Sequence, residues 1–273
     1  MPYTISHAAV VLPFSRLLAR WQLLSAAVIG TMAPDFRVFL PWRLGHVETH
    51  STMSLLIFCL PVGLITYWVF QGLIKTPVLE VLPDGAFARW RPFAAPANIR
   101  SARQWLLAAC ALLAGALTHL VWDAFTHEGA RGVRWFPVLD DPIIEIGSRH
   151  LDGVTLMQDL SSLIGLVLVL GLVAYGLRRG SEPAVPNRLV PGTERRRWVL
   201  AYVLGALAAS VAFYFAARWG QPPHHSIFAR VSAGVIAALV AALRGLAAAL
   251  LGVSLALDLR LRALRYRSSG PER

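Results

Sequence analysis

The chain has 273 residues, of which 56% are apolar and 15% charged, and its net charge of +11 comes almost wholly from arginine, Lys75 being the one lysine. The arginines cluster beside long apolar stretches, the pattern of a membrane protein's loops, and this argues against nucleic acid as a partner. Two cysteines cannot frame a metal site, so the composition is that of an integral membrane protein.

Residues 8–34 are mostly apolar, but Arg16, Arg20, Pro13 and Gly30 cut them into pieces too short to cross a bilayer. Two short helices are expected there, around 14–28 and in the preceding turn, at the interface or against the bundle. No basic segment precedes this stretch, so no cleavable signal peptide is expected and the first span is read as the targeting element. Charge-free stretches of about eighteen residues or more read as spanning helices. They fall at 52–74, 104–122, 160–177 and 198–217, with a fifth at 231–257 broken only by Arg244. Trp105, Trp122, Trp198 and Trp219 lie near span ends, where amphipathic rings favour the interface. Cys59 and Cys110 lie in successive spans at depths roughly 13 Å apart at 1.5 Å per residue, which argues against a disulfide.

The expected fold class is all-α: a polytopic membrane helical bundle of about five transmembrane helices plus short N-terminal interfacial helices. One membrane domain covers 1–273. It comprises an outer-face segment (1–51), a three-span core (52–177), a cytoplasmic linker (178–197) and a two-span part with a basic tail (198–273).

Five spans make the loops alternate between two faces. Segments 1–51, 127–159 and 218–230 hold nine arginines, against sixteen Lys and Arg in 75–103, 178–197 and 258–273. The richer face is expected to be cytoplasmic. All eight histidines fall on the other face, expected to be periplasmic or extracellular, in a bacterial inner (cytoplasmic) membrane. The charge count did not use them, so their clustering is a separate observation.

His119 and Asp123 are four residues apart on a predicted helix and share one face. Imidazole and carboxylate at that spacing can bind one ion of zinc, iron or manganese. Their bland reading is a helix-surface pair at the interface. His119 lies past the middle of its span, where an ionisable group is a functional candidate by default. His127 continues the row but is roughly 12 Å along the axis from His119. It suits a neighbouring ion, an access site or a substrate phosphate better than the same ion. His46 and His50, again four apart, precede the first span on the same face, and Glu48 between them is a candidate base or ligand. Asp35, stiffened by Pro34, and His7 are further candidate ligands; each also reads as a helix cap or a terminal residue. Thr49, Thr126 and Glu128 are candidates for orienting the imidazoles. Asp140, Asp141, Glu145 and Asp152 read as a solvated acidic face. Asp159 sits where the third span begins and is a second candidate base. Arg244 is either a bundle-interior cation or a snorkelling one. No nucleophile or phosphate-loop motif competes.

In several pieces the chain resembles an uncharacterised bacterial family of multi-pass membrane proteins, a domain of unknown function. These pieces are Thr4-Ile5-Ser6-His7, Ala33-Pro34-Asp35-Phe36, Thr49-His50-Ser51, Thr118-His119-Leu120-Val121-Trp122-Asp123 with Thr126-His127, and Gln158 with Ser161-Ser162-Leu163-Ile164-Gly165. The resemblance covers most of the chain and implies no activity. Asp159 is a departure, since a histidine is expected there in the family. More remotely, the plan is similar to inner-membrane proteins described as metal-dependent hydrolases, the matching positions being Asp35, His50, His119 and Asp123. Those in turn resemble the helical zinc-dependent phospholipase C class, which implies phosphoester hydrolysis at the membrane surface.

The expected activity is therefore metal-dependent hydrolysis of a phosphoester, with Asp35, His50, His119 and Asp123 around a divalent metal, zinc for preference. His7 and His127 stand close by, and Glu48 or Asp159 takes the proton. A lipid or lipid-linked phosphate from the surrounding membrane lipids is the expected substrate. The rival readings are a non-catalytic metal-binding or transport protein and a membrane assembly scaffold.

Overall fold

The computed structural model describes residues 4–40, 45–94, 97–98, 100–146, 149–177, 188–218 and 227–268. Five helices among them are long and apolar enough to cross a bilayer: Leu55–Val81, Ala102–Thr126, Gly153–Leu177, Gly192–Ala217 and Ala233–Arg265, the first to fifth spans. The chain is an all-α, multi-pass membrane protein, as its charge-free stretches predict. The flanks of the spans stay apolar and open. Leu163, Ile164, Val167 and Leu168 of the third, and Val203, Leu204, Leu207 and Val211 of the fourth, are each more than half exposed. A face of that kind is stable against lipid chains and unstable against water.

The helices outrun the charge-free stretches. The third span starts at Gly153 because Asp152 Oδ1 accepts a hydrogen bond from the Thr155 N–H at 2.8 Å, an N-terminal cap. Asp152 thus caps a helix instead of joining a solvated acidic face, and Asp159 lies within the helix. The fourth helix starts at Gly192, so Arg195, Arg196 and Arg197 form its opening turns. Residues 178–187 of the expected linker, and Trp219, lie outside the described residues. Cys59 and Cys110 are both free. One element was not foreseen. Pro142–Ile146 (β1) and Arg149–Asp152 (β2) pair antiparallel between the second and third spans, where three isoleucines favour a strand.

The chain divides into two compact units, Met1–Trp68 with Ala97–Gly176 and Val69–Pro96 with Leu177–Arg273. In the second unit the fourth and fifth spans pack along each other. Gly245 lies against Ala206 and Ser210, and the Tyr202 and Ser254 hydroxyls bond at 2.8 Å. Val81, Val190, Leu257 and Leu261 form that unit's core. Arg188 closes the end of the first span by donating to the carbonyls of Leu79, Glu80 and Leu82 and to Asp84. Asp84, shared with Arg195, is held below its ordinary carboxylate range by Arg195 first and Arg188 second.

The first unit begins with a 3₁₀ helix, Thr4–Phe14, and two short helices, Ser15–Arg20 and Leu24–Met32. Between the two, Gln22 adopts a left-handed φ of 59°, and Gln104 Nε2 donates to the carbonyls of Trp21 and Gln22. Leu24–Met32 therefore turns back along the second span and buries Ala26, Ala27, Ile29, Gly30 and Thr31. Two glycines set the separation. Gly30 rests on the Leu112 backbone, and Gly115 rests on the Ala27 carbonyl and the Thr31 amide, so neither position has room for a Cβ. Small residues at such a crossing let two backbones come close. Beside it, Ala33, Phe58, Cys59 and Ala116 form a core that joins the segment after this helix to both spans.

Gly115→Val should cost about 1–3 kcal/mol by overpacking and lower the melting temperature of the detergent-solubilised protein. Gly171→Ala, with open space around the added methyl, should leave that temperature unchanged or raise it.

Candidate metal centre

The glycine crossing carries Thr31 to His119. Thr31 lies in the last turn of Leu24–Met32, and Pro34, three residues on, has no N–H to offer its carbonyl. That carbonyl meets His119 Nδ1 at 2.7 Å, which makes Nδ1 the donor and leaves Nε2 with a lone pair turned into the unit. His119 is 1% exposed, so this orientation is locked by packing as well.

Asp35 enters from the 3₁₀ helix Ala33–Phe39 that follows, and the Thr4 hydroxyl donates to its Oδ2 at 2.5 Å. His50 follows the short helix His46–Thr49, and its Nδ1 bonds the Thr49 hydroxyl at 2.9 Å. The Thr49 carbonyl in turn accepts from Ser54 Oγ and Cys59 Sγ, and Ser54 also holds Ser51. The opening of the first span thus fixes the His50 ring.

These pieces converge on Asp123. Its Oδ2 lies 3.3 Å from His119 Nε2 and 3.6 Å from His50 Nε2. Its Oδ1 lies 3.6 Å from both His7 Nε2 and His127 Nδ1. His50 Nε2 also stands 3.4 Å from Asp35 Oδ1. His7 stacks on His119 with ring centroids 3.9 Å apart and meets the edge of Trp122. Two overlapping sets, His7 with His119 and Asp123, and Asp35 with His50 and His119, bring their ligand atoms within 4.8 Å of one another. Ion–donor distances of about 2.0–2.2 Å demand closeness of that order.

Two atoms of the cluster, His7 Nδ1 and Asp35 Oδ1, are buried and complete no hydrogen bond among the described residues. Buried polar atoms seldom stay so without a partner, and a nitrogen and oxygen donor set of this kind suits a divalent ion. The residues fit such an ion. Burial, reinforced by His119, pushes the His7 imidazole down to about 4 and so keeps it in the neutral form a ligand needs. Burial opposes the charge on Asp35, yet the His50 and His119 imidazoles and the Thr4 hydroxyl outweigh it and hold the carboxyl below its ordinary range.

The cluster opens into a small polar pocket lined by Thr4, His7, Asp35, Trp122, Asp123, Thr126, His127, Gln158 and Ser162. Of the residues singled out from the sequence, His7, Asp35, His50, His119, Asp123 and His127 come together. Glu48 does not line the pocket: it is exposed, and its carboxylate accepts from the Gly45 N–H. Asp159 is also exposed and stands off the lining, while its neighbour Gln158 faces the pocket. Thr49 and Thr126 contact imidazoles as expected of them, whereas Glu128 is exposed. The side chains of His46 and His150, and all of His224 and His225, lie outside the described residues. Thr4 and the Thr31 carbonyl are supports that sequence reasoning missed. A backbone carbonyl leaves no signature in the sequence, and Thr4 could have been found only through its place beside His7.

Fold and site together define a polytopic membrane helical protein with a buried histidine–aspartate centre at one end of its second span. The family model named Domain of unknown function (DUF4184) matches residues 1–255, and the chain belongs to that family. No curated protein and no solved structure matches it.

Asp123→Ala and His119→Ala should each abolish tight binding of divalent metal, read as metal per chain after detergent purification and dialysis. Asp159→Asn and Glu48→Gln should retain it. Thr49→Val, which removes only the hydroxyl on His50 Nδ1, should weaken metal affinity by about 10–100-fold, and Thr49→Ser should restore it.

Proposed function

We propose that this protein is a membrane-embedded, metal-dependent phosphoester hydrolase that works at the outer face of a bacterial inner membrane. The observation that carries the reading is the run of close contacts joining Asp35, His50, Asp123 and His119 beside an open polar pocket. Catalysis by a metal needs a coordination position open to water or substrate; beside four protein donors that position is a fifth one, on the pocket side. The pocket lining also bears Gln158 and Ser162, groups able to hydrogen-bond phosphoryl oxygens.

In this reading Asp35, His50, His119 and Asp123 hold a divalent ion, with zinc the natural choice for imidazole and carboxylate donors. Such an ion supplies Lewis acidity, polarising a phosphoryl oxygen and lowering the pKa of water at the centre. The protein's own part is orientation. The Thr31 carbonyl fixes His119, the Thr49 hydroxyl fixes His50, and the Thr4 hydroxyl fixes Asp35. Since Glu48 and Asp159 stand away from the pocket, the proton acceptor in this reading is His127. It is the most open of the clustered imidazoles, at 31% exposure, and faces Asp123 at 3.6 Å. The substrate is a lipid or lipid-linked phosphate, which reaches a site at the end of a span laterally from the membrane. Outer-face placement follows from the arginine bias, nine against sixteen, which puts the histidine-bearing loops on the less basic side.

The activity is tested by a phosphoester panel on the purified, zinc-loaded protein. Wild type should turn over at least one lipid phosphate, and His127→Gln should lower kcat by about 10²–10⁴-fold, the range for losing a general acid–base group, while retaining the metal. A wild type that binds metal and cleaves no phosphoester leaves the non-catalytic metal protein as the better account. Sidedness is checked in whole cells carrying a variant without its native cysteines. Val138→Cys should react with an impermeant thiol reagent and Thr193→Cys should not; the reverse pattern would place the centre in the cytoplasm.

A further inference from the structure

Beside the polar pocket lies a second hollow of different character. It is an open groove between the second and third spans, lined by Val121, Trp122, Phe125, Thr126, Met157 and Ser161. Its lining is apolar although two hydroxyl residues belong to it, because both hydroxyls are engaged elsewhere. Ser161 Oγ accepts from Trp122 Nε1 at 3.1 Å, and Thr126 Oγ1 donates to the Trp122 carbonyl at 3.1 Å. Trp122 and Thr126 line both hollows, so the groove adjoins the polar pocket across a single indole whose edge meets His7.

The order of polarity along the spans says what fits. Ligand atoms and hydrogen-bonding groups stand at the end of the second span, by Asp123 and Thr126, and the groove runs from there toward the interior of that span. Beyond it, Leu117 on the second span and Leu160 and Ile164 on the third continue the apolar track, each at least half exposed. From Thr126 back to Leu117 the track covers roughly 13 Å at 1.5 Å per residue. A charged head at the membrane boundary with an aliphatic chain running inward is the orientation of a lipid in one leaflet. A water-soluble phosphoester or a peptide would leave the groove without a polar partner for its own groups.

We infer that the groove is the tail subsite of the centre, and that the ligand is a single amphiphile: a phosphorylated lipid with its phosphate at the histidine–aspartate cluster and one aliphatic chain along Val121, Phe125 and Met157. This rests on reading the cluster as a phosphate-handling centre. Lipid chains are as apolar as the groove, so ordinary bilayer lipid gains little by entering it. Occupancy is therefore set by the head, and dependence on the head is the diagnostic.

The test uses the full chain in zinc-supplemented nanodiscs with two photoreactive lipids. They share one diazirine-bearing chain; one carries a phosphate head and the other a hydroxyl. The phosphate-headed probe should label peptides containing Val121, Phe125 or Met157 at least fivefold more than the hydroxyl-headed probe, and an unlabelled lipid phosphate should compete. Equal labelling by the two heads would mean boundary lipid and would overturn the subsite, as would adducts that join two copies of the chain across this face. Met157→Trp, and Val121→Trp as a second variant at an exposed position, fill the groove. Each should cut the head-dependent labelling at least fivefold, and should lower kcat/KM for a long-chain lipid phosphate at least tenfold more than for a short-chain one. Head-dependent labelling without turnover retains the tail subsite and removes the hydrolase. Turnover with head-independent labelling retains the hydrolase and removes the subsite.

Discussion

A carboxylate buried near the end of a membrane span must be partnered, and that requirement organises the first unit. An isolated ionised carboxylate in an apolar medium would cost on the order of tens of kcal/mol, so a charged Asp123 needs cationic or hydrogen-bond-donating partners, and imidazoles surround it. Four do so at 3.3–3.6 Å, drawn from the N-terminal 3₁₀ helix, the segment before the first span, and the second span with the residue that follows it. None of these distances makes a short, well-formed hydrogen bond. The arrangement gathers electron-pair donors around a common space without using them up on one another. That is the geometry expected if a cation completes it.

The apolar part of the fold serves the same end. Gly30 and Gly115 let the Leu24–Met32 helix lie so close to the second span that a backbone carbonyl reaches His119. Replacing that carbonyl by a side chain would require a longer reach and would surrender the rigidity of a helix end. The Ala33, Phe58, Cys59 and Ala116 core then holds the Asp35 segment against the first and second spans, so that Asp35 Oδ1 and His50 Nε2 meet at 3.4 Å. His119, His50 and Asp35 are each held by a neighbour at the far side, which is how metal-binding imidazoles and carboxylates are ordinarily oriented.

Much of this was legible in the sequence because membranes impose simple rules. Charge-free length gave the five spans, and helical spacing put His119 and Asp123 on one face. Alternation of the loops across five spans grouped His7, His50 and His127 on one side. What stayed hidden depends on contact geometry. The Thr31 carbonyl has no side-chain signal, and the Asp152 cap looked like one more acidic loop residue. The β1–β2 hairpin sits in a loop whose isoleucines were outweighed by the helical character of the chain. Glu48 and Asp159 were chosen for their acidity and position in the chain; the turn at Gly45 and the helical phase of the third span turn both away from the pocket. A base candidate cannot be picked from spacing alone, because one residue of helical phase, about 100°, separates Gln158 inside from Asp159 outside.

The central claim is that these buried donors hold a metal ion, and X-ray absorption at the zinc edge of the purified, zinc-loaded protein tests it most directly. A first shell of nitrogen and oxygen donors at about 2.0–2.2 Å, with imidazole outer-shell scattering from at least two histidines, is the predicted result. An all-oxygen shell without imidazole scattering, or zinc that leaves on dialysis, would contradict it and make the histidine–aspartate cluster a structural network.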